Sequence, residues 1–168
     1  MVLLGLDPAI RTTGYGVIET NENAPIRLLD CGVIANSAKL PHTECLRRIY
    51  GGVAELVAAF GCECAAIESP FVGRNSRTAI ILGMARGAIL TALAQAGVPA
   101  YSYPPSAGKQ AAAGSGSARK EQVALMLASE LGIDPANISL DSTDAIALAL
   151  CHWQRLRHPE LGKIGQRL

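Results

Sequence analysis

Apolar positions along the chain fall into two kinds of run. Residues 2–6 are continuously apolar and end at Asp7-Pro8, which suits a strand buried on both faces and stopped by proline. Residues 14–19 and 26–34 read as two further strands, separated by the turn-prone Asn21-Glu22-Asn23-Ala24-Pro25. Links this short predict an antiparallel meander. Residues 43–60 carry Leu46, Ile49, Tyr50, Val53, Leu56, Val57 and Phe60, a helical spacing closed by Gly61. Residues 64–68 make a short strand stopped by Pro70, and residues 77–96 a long apolar helix stopped by Gly97. Residues 98–103 predict a fifth strand, ended by Pro104-Pro105.

Beyond that point the pattern is helical. Residues 106–113 predict a short helix, and Gly114-Ser115-Gly116-Ser117 a connector. Residues 118–131 predict a helix with Ser117 as N-cap, and Asp141 opens a last helix running to about residue 156. The order predicts an α/β fold: a mixed sheet of five strands, three antiparallel and then parallel ones, with helices on both faces. One domain over residues 1–157 is expected, with 158–168 as a flexible tail. Apolar residues make up 49% of the chain and charged ones 17%, below the usual quarter, which excludes disorder over most of its length.

The most apolar stretch, 79–98, is broken by Arg86, Gln95 and several glycines, and the N-terminal apolar run reaches Asp7 too early for a signal peptide. The expectation is a cytoplasmic protein with no membrane partner. Five cysteines without paired CxxC spacing read as free thiols, and zinc would need more ligands than Cys62 and Cys64 supply. Net charge is only +1, yet residues 69–125 carry a local balance of +5 while residues 1–68 carry −3. A cation site beside a polyanion-binding face would produce that distribution; so would an ordinary uneven surface.

Four acids stand at unusual places. Asp7 ends an apolar strand, Glu68 ends another, and Asp141 and Asp144 share one face of a helix whose continuation is apolar nearly all round. Taken singly, Asp141 reads as a cap, Asp144 as a dipole partner, Asp7 as a turn former and Glu68 as a surface acid. Together, acids at the ends of buried elements call for a proton or a cation. Hard divalent ions with oxygen ligands suit them, and two such ions are a known device for phosphodiester attack.

Gly5-Leu6-Asp7-Pro8 with Thr13-Gly14-Tyr15-Gly16-Val17, Ile67-Glu68 with Phe71, Arg74 and Asn75, and Leu82-Gly83-Met84-Ala85-Arg86-Gly87 form an ordered set. Lys109-Gln110, Gly116-Ser117-Ala118 with Lys120, and the segment from Asp141 to Ala147 complete it. This set resembles the RuvC family of Holliday-junction resolvases over residues 1 to about 155. The resemblance implies an RNase H-like fold and a homodimer that nicks four-way junction DNA symmetrically, leaving 5′-phosphate ends, in recombination and repair. It implies two Mg²⁺ ions per site, with Mn²⁺ as a substitute, held by Asp7, Glu68, Asp141 and Asp144. It also implies partnership with the RuvA and RuvB branch-migration proteins. Ala9 and Ser69-Pro70 depart from the family pattern, which bears on the loop after Asp7 and on the position of Phe71.

The DNA-facing candidates are Phe71 as a base-stacking wedge, Arg74 and Asn75 as phosphate or base contacts, and Lys109, Ser117 and Lys120 around the cut phosphate. Arg86 reads as structural or as a dimer contact, His152 as a satisfied structural group, and Tyr15 and Trp153 as packing residues. The competing readings are an RNase H-fold nuclease acting on structured RNA, a nucleotide-binding kinase or ATPase, and a non-catalytic junction-binding module. The kinase reading needs a second, similar domain for which 168 residues leave no room.

Overall fold

The computed structural model describes residues 1–70 and 76–168. Its first three strands, β1 (Val2–Asp7), β2 (Thr12–Asn21) and β3 (Ala24–Ala35), form the expected antiparallel meander. Helix α1 (His42–Phe60) follows and is closed by Gly61 in the left-handed region at φ 63°, whose N–H returns to Val57 O. Then come β4 (Cys64–Glu68), α2 (Ser76–Gln95), β5 (Ala100–Tyr103), α3 (Pro105–Ala113), α4 (Lys120–Leu131), α5 (Leu140–Arg157) and β6 (Gln166–Arg167). The sheet order is β3-β2-β1-β4-β5-β6, with β4 parallel to both β1 and β5.

Strand alternation divides the core into two layers. Leu4, Leu6, Val17, Ala65 and Ile67 face α1 and α2, packing against Ile49, Val53, Ala85, Ile89 and Leu93. Leu3, Ile18 and Cys64 face the other way, toward Val123 and Leu127 of α4 and Ile146 and Leu150 of α5. Full burial of each such Leu or Ile stabilises by about 1.5–3 kcal/mol. Helix α2 is long and apolar enough to cross a bilayer by composition alone. Here it packs Ala85, Ile89, Ala92 and Leu93 into the first layer and carries Arg86, also buried.

Three expectations are corrected. The sheet has six strands, not five, because Gln166 and Arg167 in the segment read as a loose tail pair antiparallel with Ser102 and Tyr101, and Leu168 N–H donates to Ala100 O at 2.9 Å. A two-residue strand has no period from which it could be read. Helix α4 begins at Lys120 rather than 118, since Ala118 N–H closes a turn on Ser115 O and Arg119, not Ser117, is the N-cap. Gln122 Oε1 accepts from Arg119 N–H at 3.0 Å, supplying half of a capping box. Finally, Ser139 caps α5 by accepting from Ser142 N–H at 3.2 Å, so Asp141 is freed from capping.

Candidate active site

Parallel pairing of β1 and β4 sets the first two acids side by side. Leu6 pairs with Ile67, so the next step of the register places Asp7 beside Glu68 at the carboxyl ends of both strands. Alternation points Asp7 to the same side as Gly5, and Glu68 to the same side as Ala66, which lies in the cluster with Leu148 and Cys151 of α5. Both carboxylates therefore face the layer that contains α5.

Glycines bring α5 onto that face. Gly5 pairs with Gly16, and Asp7 with Gly14, across β1 and β2. A Cβ at Gly5 would lie 1.8 Å from Ala145 O, one at Gly16 2.4 Å from Ile146 Cγ1, and one at Gly14 2.3 Å from Asp141 O. The helix backbone occupies the volume that side chains would fill. Its N-terminal turns, with Asp141 exposed and the Asp144 side chain 16% exposed, are thereby brought to the Asp7 end of the sheet.

Two cations complete the group. Lys120, the first residue of α4, places Nζ 3.0 Å from Asp144 Oδ2. Burial pushes the Asp7 carboxyl up from its ordinary 3.8 to about 6; Asp144 and Asp141 add to the rise and Lys120 opposes it. Burial likewise raises Glu68 from 4.5 to about 7, with Asp7 and Asp144 adding and Lys109 and Lys120 opposing. Burial works against the charge on Lys120, but its hydrogen bond to Asp144 and the charges of Asp144, Asp7 and Asp141 outweigh it and raise its pKa.

This donor set fits hard divalent cations: all-oxygen, anionic, and short of positive charge, as the raised Asp7 and Glu68 show. As the side chains stand, no three His, Cys, Asp or Glu groups among the described residues close around one point. The acids are in electrostatic reach of one another, with Asp144 engaged by Lys120 instead. Lys109, on α3, acts on Glu68 through its charge. Ser117 is exposed in the turn before α4, with its Oγ 3.0 Å from Ser115 Oγ. Phe71, Arg74 and Asn75 lie outside the described residues. His152 is engaged by Tyr103, its Nδ1 2.6 Å from Tyr103 Oη. Arg86, read from sequence as structural or as a dimer contact, reaches the Glu68 carbonyl with Nη1. No sequence pattern signals that contact, because it depends on the register between strands.

The family model described as crossover junction endodeoxyribonuclease RuvC matches residues 3–152. The chain is 42% identical over 152 residues to the crossover junction endodeoxyribonuclease RuvC of Chloroflexus aurantiacus, covering 90% of this chain and 92% of that protein. It is 45% identical to the Halorhodospira halophila protein of the same description, covering 89% of this chain and 88% of that one. The structure of Thermus thermophilus RuvC in complex with a Holliday junction substrate superposes with a TM-score of 0.89 at 38% identity, covering 100% of this chain and 99% of that one.

Proposed function

The chain belongs to the RuvC family of crossover junction endodeoxyribonucleases, and from that premise we propose that it resolves Holliday junctions, in homologous recombination and repair, by paired nicking of two strands. The observation that carries the catalytic assignment is the meeting of Asp7 and Glu68 at adjacent strand ends with the start of α5 and Lys120. The competing reading as a nuclease of structured RNA finds no support in these relatives, which are named for DNA junctions.

In this reading Asp7, Glu68, Asp141 and Asp144 hold two divalent cations, Mg²⁺ with Mn²⁺ as substitute. Bound there, such ions supply a water nucleophile at neutral pH and charge stabilisation at the leaving 3′ oxygen, giving 5′-phosphate ends. Glu68 and Asp7, whose carboxyls burial and the neighbouring acids raise to about 7 and 6, would be held in the charged form by a cation bound between them. Lys120, at the first helical position of α4, whose charge reaches Asp7, Glu68 and Asp144, and Lys109, whose charge reaches Glu68, are the proposed holders of the substrate phosphate. Ser117, exposed before α4, and Phe71, Arg74 and Asn75 are proposed junction contacts on the strength of the family resemblance.

A homodimer acting in the cytoplasm is part of the proposal, as is association with RuvA and RuvB. Support for the dimer comes from α2, where Ile80 is 65% exposed, Met84 is exposed, and Gly83 and Gly87 have open space above them. These four positions share one helix face. The deciding experiment is a synthetic four-way junction incubated with Mg²⁺ and wild type, Asp7→Asn, Glu68→Gln, Asp141→Asn or Asp144→Asn. Paired symmetric nicks from wild type, lost in the four variants, are expected; equal nicking by Asp7→Asn overturns the catalytic assignment.

A further inference from the structure

Pro8 creates a pairing problem at the end of β4. Ala65 N–H donates to Pro99 O at 2.9 Å and Ser69 N–H to Tyr103 O at 2.7 Å, so the odd-numbered residues of this strand turn their peptide groups toward β5. Glu68, one step out of phase, turns its own toward β1. With Leu6 opposite Ile67, the continued parallel ladder would give the Glu68 carbonyl the amide of residue 8. Residue 8 is a buried proline, which has no N–H. A buried carbonyl left unpaired costs about 1–3 kcal/mol.

The donor arrives from the helix layer on the opposite side of the sheet from α5. Arg86 Nη1 donates to Glu68 O, and Arg86 Nη2 donates to Ser102 Oγ at 3.1 Å. Ser102 Oγ is in turn 2.8 Å from Ser69 Oγ. One guanidinium thus ties the ends of β4 and β5 at residues 68, 69 and 102. Arg86 is only 8% exposed and lines, with Pro8, Glu68, Ser69, Pro70 and Leu82, a small gap under the strand ends. Its Nη1 and Nη2 are both spent on the ends of β4 and β5.

We infer that Arg86 is a positioning residue for the acidic site: its guanidinium replaces the amide that Pro8 lacks and fixes the Glu68 peptide, keeping the Glu68 carboxylate beside Asp7. The inference rests on the reading of Asp7 and Glu68 as cation ligands. Pro8 lets the chain leave the sheet immediately after Asp7, and Arg86 repairs the ladder that this exit interrupts. A fixed backbone under a ligand side chain matters because supporting contacts of this kind typically change metal affinity or activity by about 10–100-fold.

The test uses the full chain stripped of metal and titrated with Mn²⁺ alone by calorimetry, with junction-cleavage kinetics and thermal melting alongside. Arg86→Met is expected to weaken Mn²⁺ binding by about tenfold or more and to lower kcat with KM for the junction little changed. Pro8→Ala in the Arg86→Met background restores an N–H at residue 8, and at least about a threefold recovery of Mn²⁺ affinity is expected. A folded Arg86→Met protein with wild-type Mn²⁺ affinity and kcat overturns the inference, as does a double variant with no recovery. Should Arg86→Met fail to fold, Arg86→Lys, which retains a single charged donor, is expected to bind Mn²⁺ more weakly than wild type, and wild-type affinity there overturns it equally. Wild type that binds no Mn²⁺, or binds it unchanged after Asp7→Asn, overturns the ligand reading as well. Wild type that binds, with Arg86→Met indistinguishable from it, removes the Arg86 inference alone.

Discussion

Lys120 Nζ stands 3.0 Å from Asp144 Oδ2, tying the start of α4 to the start of α5 at the Asp7 end of the sheet. The two side chains are 41% and 16% exposed, and ion pairs that open to water contribute about 0–1 kcal/mol to stability. The pair is therefore better understood through what Lys120 does to charge at the site. Lys120→Met is expected to leave the melting temperature within a few degrees, while kcat on a four-way junction falls about 10–100-fold, the equivalent of one charge-assisted hydrogen bond. It also removes a charge that lowers both Asp7 and Glu68, so the acid limb of the pH–rate profile moves upward. Cleavage within twofold of wild type at every pH sinks this assignment.

The glycines under α5 make a second, purely steric prediction. Gly5→Ala sets a Cβ against Ala145 O, a backbone atom that moves only with the whole helix. Overpacking of this kind costs about 1–3 kcal/mol or more, and it lifts the two acids of α5 away from Asp7. Urea unfolding is expected to show that loss together with loss of cleavage. Gly51→Ala on α1 is the matched control, since a Cβ there meets nothing within 4 Å; a neutral effect or a gain of about 0.4–1 kcal/mol is expected. Equal effects of the two substitutions would show that α5 does not sit where the glycines place it.

Asp7 and Glu68 predict the pH dependence of the metal-free protein. Their ordinary values of 3.8 and 4.5 rise to about 6 and about 7 on folding. A raised folded value means that the stability these groups contribute is complete below the unfolded pKa and is lost as pH climbs through about 6 and 7. With EDTA present, Asp7→Asn and Glu68→Gln are expected to be more stable than wild type at pH 8, each by roughly 1–2 kcal/mol after allowance for solvent screening. The advantage shrinks toward zero near pH 4. Melting curves across that range decide it, and variants no more stable than wild type at pH 8 would deny that burial and mutual repulsion penalise the charged acids.

How far these features can be read without coordinates depends on whether the physics is local. Asp7 and Glu68 are conspicuous because each closes an apolar run, and Asp141 and Asp144 because helical spacing puts them on one face. The meander is legible from its short links. Gly5, Gly14 and Gly16 can be seen as a glycine pattern, but their function as a seat for α5 belongs to a contact about 130 residues away in sequence. The link between Arg86 and Glu68 needs the register of Pro8 against β4 before the missing donor becomes apparent. Ser117 resembles a cap by residue type, yet Arg119 takes that position because the preceding turn closes on Ser115.

His152 gives a pH dependence of the opposite sign, toward the C-terminal end of α5. Burial pulls its pKa from the ordinary 6.5 down to about 4, and its Nδ1 lies 2.6 Å from Tyr103 Oη with the Tyr101 ring centroid 4.5 Å away. A depressed folded value means that stability is present above the unfolded pKa and is lost as pH falls from 6.5 through about 4. His152→Gln leaves Tyr103 to find a new partner and is expected to cost about 1–3 kcal/mol at pH 7.5. Measured in the Asp7→Asn, Glu68→Gln background, which removes both opposing slopes, the parent loses stability between pH 6.5 and 4.5 and the His152→Gln protein does not. Urea unfolding at pH 7.5, 5.5 and 4.5 makes the comparison. Junction cleavage at pH 8 is expected to stay within about twofold of wild type for the single variant, because His152 pairs with Tyr103 and is not among the groups acting on Asp7 or Glu68. An acid slope that survives His152→Gln would place the proton uptake elsewhere in the molecule.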